Sequence, residues 1–428
     1  MLSTQSFPPT RQAALARLAD FVPRAGILYA QTRNEDRGPA DRGNISLLSP
    51  YLRHRLLGED EVLAAVLKQH SPAQAEKFIQ EVFWRTYWKG WLQLRPAVWT
   101  RYLAELEEAR QALAGNSGLR KGYSEAVEGR TGIDCFDAWI HELAETGYLH
   151  NHARMWFASI WIFTLRLPWQ LGADLFYRQL LDADPASNTL SWRWVAGLQT
   201  IGKTYLARAD NISRFTNGRF APRGLATEAV PLVDPQPMPG PGRLAHCAAQ
   251  APAGASLLLV TEENLAPDAS CFAEATLKGV ALASVLRNSE PSTPEADSFR
   301  EGALADAKIR LQPSFGIAPQ RLAMLEAHVL VDAAKACGAS QIVTMEPAIG
   351  SVASALDAAK PVLAKAGIAL THVRHPLDDI AWPHAARGFF NFREQIGEIV
   401  VQLGLVNGGQ LGFDLPSTRD AHRPGRRR

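Results

Sequence analysis

Apolar residues recur at three- and four-residue spacing over 11–22, 60–69, 72–94, 99–114, 134–146 and 149–166, with almost no strict alternation before residue 220. That period belongs to amphipathic helices, so the first half of the chain is expected to be all-α. Ser71-Pro72 and Asp184-Pro185 each set a capping side chain ahead of a proline suited to the first helical position. Between Ala221 and Gly254 the pattern stops. Pro222, Pro231, Pro235, Pro237, Pro239, Pro241 and Pro252, with PQPMPGPG at the centre, leave no apolar face and predict an extended linker.

Beyond the linker, short apolar runs alternate with helical spacing. SLLLV (256–260), VALASVL (280–286), QIVTM (342–345 at its core) and IALTHV read as strands. RLAMLEAHVLVDAAKAC, closed by Gly338, and SVASALDAAKPVLAKA, closed by Gly367, read as helices. A glycine just past a helix end, followed by a short apolar run, is the helix-to-strand junction of a parallel, doubly wound sheet. The fold class expected is therefore multidomain: an all-α domain over 1–220, a Pro/Gly-rich linker over 221–254, a smaller α/β Rossmann-like domain over 255–415 and a basic tail over 416–428. No GxGxxG follows the first strand and no P-loop is present, so this second half signals no nucleotide site.

Composition narrows the function classes. The chain has 428 residues, 46% hydrophobic and 21% charged, which suits about two domains of roughly 100–200 residues each. No apolar run reaches the ~18 residues of a membrane span, and MLSTQSFPPTRQ lacks the order of a signal peptide, so a cytoplasmic protein without membrane contact is expected. Cys135, Cys247, Cys271 and Cys337 show neither CxxC nor Cys/His spacing, and no metal site is expected. The net charge of +2 predicts no global attraction to nucleic acid, so a DNA site would have to be local; RPGRRR (Arg423–Arg428) adds basic charge at the end.

Tryptophan changes the picture more. Of 11 tryptophans, all but Trp382 fall between Trp84 and Trp194. A large helical core filled with aromatics gives the same signal. The stretch DADPASNTLSWRW (182–194) is harder to absorb that way. If Asp184 caps a helix begun by Pro185, then Asp184, Asn188 and Trp192 share one stripe. Capping accounts for Asp184, but it does not account for Asp182, Asn188 and the indoles. A planar heteroaromatic ligand with N–H donors would account for all of them, because burying such groups demands matched partners.

These residues resemble the flavin-binding core of the cryptochrome/photolyase family, whose usual form is DxDxxxNNGGWQW. EGRTGIDCFDAWIHELAETGYLHNHARMWFAS (128–159), KFIQEVFWRTYW (77–88) and GNISLLSPYL (43–52) are similar to further family motifs in the family's order. The resemblance implies FAD as cofactor, held by Ser46, Leu48 and Ser49 at the diphosphate and by Arg85, Asn151, Arg154, Asp182, Asp184 and Asn188 around the flavin and ribityl chain. Arg154 would pair with Asp182, as a structural ion pair also would. Ile45 and Leu47 stand where the family often has threonine and arginine. A second, antenna chromophore is allowed by the family but signalled by no residue here.

The same resemblance implies a substrate side. Glu81, Trp84, Asn151, Met155, Asn188 and Trp194 match catalytic positions, with Trp84 and Trp194 as stacking walls for a flipped pyrimidine dimer. Glu81, Trp84, Arg85, Trp88, Asn151 and His152 would contact DNA, and His152, in place of a common arginine, would make DNA affinity pH-dependent. Trp192 and Trp169 would relay electrons, with Tyr123 or Trp99 as a third member. The function implied is a light-driven, FAD-dependent lyase that splits cyclobutane pyrimidine dimers in DNA. The alternative is a cryptochrome-like photoreceptor that keeps the flavin and signals through a protein partner. The segment 189–220 departs from the family pattern, and the α/β region follows the flavin region where the family has it first.

Overall fold

A computed structural model of the protein describes residues 7–285 and 293–406; the basic RPGRRR end lies outside them. Helices fill the first half. Those that build the site are α1 (Arg11–Phe21), α2 (Glu59–Leu67), α3 (Glu76–Gln93), α4 (Pro96–Gly115), α5 (Asp134–Thr146), α6 (Asn151–Ser159), α7 (Trp169–Gln179), α8 (Pro185–Val195) and α9 (Ala209–Phe215). Their apolar stripes close on one core in which Trp139, Trp156 and Trp161 are fully buried.

Local chemistry sets the ends of these helices. Asp184 caps α8 as its sequence predicts, with Pro185 at the first helical position and the Asp184 carboxylate accepting from Ser187 N at 2.8 Å. Ser71-Pro72 does not open α3. Its proline starts a separate turn, closed by Ala75 N donating to Ser71 O at 3.1 Å, and α3 begins four residues later at Glu76. The pattern over 149–166 is likewise divided: α6 runs into a single π-helical turn, Ile160–Thr164, and Arg166 then adopts a left-handed φ of 55°.

From Gly254 the chain forms a five-stranded, all-parallel sheet in the order β3-β2-β1-β4-β5. The strands are β1 (Gly254–Thr261), β2 (Ala275–Ala283), β3 (Gln320–Arg321), β4 (Gln341–Met345) and β5 (Ala369–Val373). β2 starts earlier than its apolar run because Ala275–Leu277, though partly exposed, pair with β1, with Lys278 passed over at a register shift. Arg321, read as helical from the sequence, pairs instead with Leu282 as edge strand β3. The helices here are α10 (Pro294–Phe315), α11 (Ala327–Ala336), α12 (Ser351–Lys365), α13 (Pro376–Ala381) and α14 (Phe389–Arg393). The sequence pattern did not signal α10, whose buried residues, Ala296, Phe299, Arg300, Ala303, Leu304, Ala307 and Leu311, mix three alanines and an arginine with larger apolar side chains.

Alternation along the strands divides two cores. Leu257, Leu259, Ala281 and Ile342 face α11 and α12, whereas Leu258, Val260, Leu282 and Val343 join α10 and the helical half in one continuous core. A run of three basic residues fastens the halves. Arg53 donates to Glu263 at 2.8 Å, a His54 ring nitrogen meets Glu262 O at 2.8 Å, and Arg55 donates to Asp378 at 2.8 Å. Among the described residues no helix is long and apolar enough to cross a membrane, and no group of His, Cys, Asp and Glu is arranged to hold a metal.

The halves also approach closely at Gly90 on α3. A Cβ there would lie 2.7 Å from Trp382 Cδ1 and 3.0 Å from both Trp382 Cα and Ala385 Cβ. Gly90→Ala is expected to lower stability by about 1–3 kcal/mol through overpacking, despite alanine's higher helix propensity. The urea midpoint measures this. Gly115→Ala, with nothing within 4 Å of the new Cβ, serves as the comparison and should leave the midpoint unchanged or raised.

Candidate functional site

The site grows from the two buried aspartates ahead of α8. Asp184 is 1% exposed, and beyond its capping bond it accepts from Arg85 Nη1 of α3 at 2.6 Å. Asp182, 4% exposed, takes a bidentate pair of bonds from Arg154 of α6, both 2.9 Å. Arg154 is itself aimed by its Nε bond to Leu149 O at 2.9 Å. Burial alone would raise both carboxyls. Arg154 outweighs it at Asp182, and Arg85, Lys89 and Arg53 outweigh it at Asp184, so both are held below the usual carboxylate range. Both therefore remain ionised acceptors.

One turn into α8, the Asn188 amide donates to Ala173 O at 2.7 Å. The Ser187 hydroxyl beside it is buried and has no protein partner. Trp192 completes the stripe, buried in a cradle that exists because α7 carries Gly172: a Cβ there would come within 2.3 Å of Trp192 Cη2.

The loop before the short helical turn Ser49–Arg53 has an unusual backbone. Leu47 is left-handed at φ 54°, and Leu48 follows at φ −90°, ψ −13°. A left-handed leucine costs roughly 1–2 kcal/mol. Successive left- and right-handed residues converge their N–H groups into an anion-binding concavity. The Ser46 hydroxyl accepts from Leu48 N at 3.4 Å, and Ser49 hydrogen-bonds to Asp182. Loop and aspartates thus form one polar cluster.

The remaining sequence-predicted residues are of intermediate exposure, Glu81, Trp84 and Arg85 on α3, His152, Arg154 and Met155 on α6, and Trp194 on α8, with Asn151 exposed. Glu81 pairs with Arg33, which the sequence reading had not singled out. Trp88 is buried and packs at 5.3 Å from Trp84, so it backs that ring instead of facing solvent. Trp194 stacks on Tyr205 at 5.7 Å. Trp84 lies flat against Phe389 of α14, with ring centroids 3.6 Å apart and an interplanar angle of 11°. Nothing in the helical half's motifs signals Phe389, which arrives from 305 positions along the chain.

The histidines behave differently from expectation. His150 caps α6 by accepting from His152 N at 3.1 Å, and His152 stacks on Phe215 at 5.6 Å. Burial, chiefly, lowers each to about 4, with Arg33 adding to the effect at His152. His152 is therefore neutral at pH 6–8 in the DNA-free protein.

Aromatic contacts separate the two expected relay residues. Trp192 meets Phe176 at 5.2 Å and Trp161 at 6.2 Å, and Trp161 meets Tyr123 at 5.9 Å. Trp169 meets Tyr102 at 5.5 Å, and Tyr102 meets Trp99 at 5.3 Å. Among the described residues no direct ring contact joins Trp192 to Trp169. Two clefts, of about 1110 Å³ beside Trp169 and Arg193 and about 370 Å³ beside Arg37 and Arg219, lie away from the aspartates.

The donor set suits a flavin dinucleotide. Two ionised acceptors face N–H and hydroxyl donors, a neutral amide and an orphaned hydroxyl stand one turn on, and the Leu47–Leu48 backbone suits a diphosphate. Comparison with known proteins agrees. Residues 78–223 match the family described as the FAD binding domain of DNA photolyase. The chain is 34% identical over 190 residues to a deoxyribodipyrimidine photo-lyase of Thermus thermophilus, covering 44% of this chain and 43% of that one. It is 28% identical over 218 residues to the Vibrio cholerae protein of the same name, covering 49% and 44%. The chain thus spans less than half the length of these relatives. A crystal structure of a bacterial class III photolyase from Agrobacterium tumefaciens superposes with a TM-score of 0.41 at 28% identity, over 49% of this chain and 43% of that one. Residues 78–223 thus form a photolyase-type FAD-binding domain, and through it the helical half of this chain is similar to the cryptochrome/photolyase family.

Proposed function

We propose that the protein is a light-driven lyase that splits cyclobutane pyrimidine dimers in DNA. What supports this reading is that Asp182 and Asp184 are buried and held ionised by arginines of α3 and α6, while half-exposed Trp84, Met155 and Trp194 stand on the same helices α3, α6 and α8. When bound, reduced FAD supplies a photoexcitable one-electron donor. Every other task falls to side chains of this chain.

Asp182 and Asp184 accept hydrogen bonds from the ring and the ribityl hydroxyls, and their arginines keep them charged for that role. Asn188 offers a neutral amide, which stabilises added electron density without supplying an acidic proton. Leu48, Ser46 and Ser49 seat the diphosphate. Trp84 and Trp194 flank a lesion turned out of the duplex, where a damaged step costs less to unstack. Met155 gives an apolar contact, and Glu81 and Asn151 meet base edges. Trp192 starts the internal electron relay, with Trp161 and Tyr123 as the contiguous branch toward the surface.

The deciding assay measures loss of thymine dimers from a short oligonucleotide incubated with chemically reduced, flavin-loaded protein under blue light and in darkness. Loss is expected only in the light. Trp84→Ala should keep its flavin and bind the damaged oligonucleotide about tenfold more weakly, the scale of one base–aromatic stack. No repair by protein that demonstrably holds reduced flavin would replace the lyase reading with the photoreceptor one.

Asp182→Asn keeps the shape of the side chain but removes the charge that Arg154 and the cofactor share. Flavin affinity is expected to fall about 10- to 100-fold, the worth of one hydrogen bond to a charged group, read from bound absorbance after dialysis with circular dichroism unchanged.

The low His152 pKa has its own consequence. With the imidazole neutral above about pH 5, the ratio of DNA dissociation constants for His152→Asn and wild type should stay constant between pH 6 and 8. A ratio that grows toward pH 6 would show a protonated His152 at the DNA.

A further inference from the structure

The contact between Trp84 and Phe389 brings a second element to the mouth of the proposed site. Helix α14 follows the β-sheet in sequence and lies outside residues 78–223, yet its first residue forms the flat face against which Trp84 rests. Phe389 is 7% exposed and also packs on Tyr87 and Phe392, so this face is fixed. The next residue is the opposite. Phe390 is 73% exposed, among the most exposed large apolar side chains described, and its ring carries only the Arg393 guanidinium at 5.5 Å.

Its charged surroundings point to one kind of partner. Between Asp379 and Glu394 the chain holds no acidic residue, while His384, Arg387 and Arg393 lie within that stretch. Neither Arg387 nor Arg393 has an ion pair among the described residues, and Arg387 is exposed next to the Tyr87 hydroxyl bond to its carbonyl. Unpaired arginines beside a protruding aromatic ring suit a polyanion that also offers π-faces. Single-stranded or locally opened DNA has both properties. The patch is also continuous with Trp84, the ring assigned to the lesion.

We propose that α14 is a DNA-contacting element of this protein: Phe390 stacks on a base left unpaired beside the expelled dimer, and Arg387 meets the adjoining phosphate. Phe389 is a positioning residue that sets the plane of Trp84. This inference rests on the lyase reading above, because it takes Trp84 to face the lesion. It gives the second half of the chain a part in substrate recognition. Exposed apolar rings that enter a base stack are the usual means by which a protein holds open a step it has distorted.

The test measures dissociation constants in the dark, with flavin-loaded full-length protein at fixed salt, for a fluorescent duplex carrying one thymine dimer and for its undamaged counterpart. Phe390→Ala is expected to weaken binding of the damaged duplex about tenfold and to leave the undamaged duplex unchanged. Phe390→Trp should restore the affinity. Arg387→Ala should weaken both duplexes alike and reduce the slope of affinity against salt by about one charge. If Phe390→Ala binds as wild type does, or more tightly, while Trp84→Ala loses affinity, the inference is overturned and the lyase reading stands; tighter binding would identify α14 as a cover over the mouth. If wild type does not prefer the damaged duplex and Trp84→Ala changes nothing, the lyase reading fails and the inference falls with it.

Discussion

The site depends on keeping two carboxylates charged away from water. Removing one partner of such a buried pair typically costs about 3–5 kcal/mol, because the remaining charge is stranded. Asp182 and Asp184 therefore need Arg154 and Arg85 at all times, and each arginine comes from a different helix. Satisfying the aspartates fixes α6 and α3 against the start of α8. The helices that hold the acids, α6 and α3, also carry Met155 and Trp84, so the electrostatics of the aspartates and the placement of these two side chains share one origin.

That constraint spreads to the second half. The Arg53, His54 and Arg55 run leaves the helical turn that begins at Ser49, and each residue reaches a different acceptor beyond residue 260. Arg55 does so from a left-handed φ of 44°, a strained conformation for a residue with a side chain. One face of the sheet then finishes the helical core through Leu258, Val260 and Val343. In this arrangement α14 comes to lie on α3, and a ring from the end of the chain rests on Trp84.

Much of this was legible before any coordinates. The three- and four-residue spacing located most helices of the first half, the Asp184-Pro185 cap was readable from residue types alone, and the glycines after α11 and α12 marked the returns to the sheet. The Arg154–Asp182 pairing followed from the family resemblance. Misreadings came where local signals compete. Ser71-Pro72 fits a cap or an isolated turn equally well, and only the packing of α3 decides for the turn. The buried stripe of α10 mixes three alanines and an arginine with Phe299, Leu304 and Leu311, which leaves too little apolar contrast to register.

The sequence by itself determined which residue types are present to bind a flavin and in what order: two aspartates, an asparagine and an indole at helical intervals, after a serine-rich loop. These are short-range patterns, fixed by the period of the helix and by capping chemistry. Only the tertiary structure decided the environments. It lowered the His150 and His152 pKa values by burial, set Trp192 against Trp161 and Phe176, and laid Phe389 on Trp84. Those outcomes turn on desolvation and on contacts between residues far apart in the chain, up to 305 positions for Phe389 and Trp84, which no local period encodes.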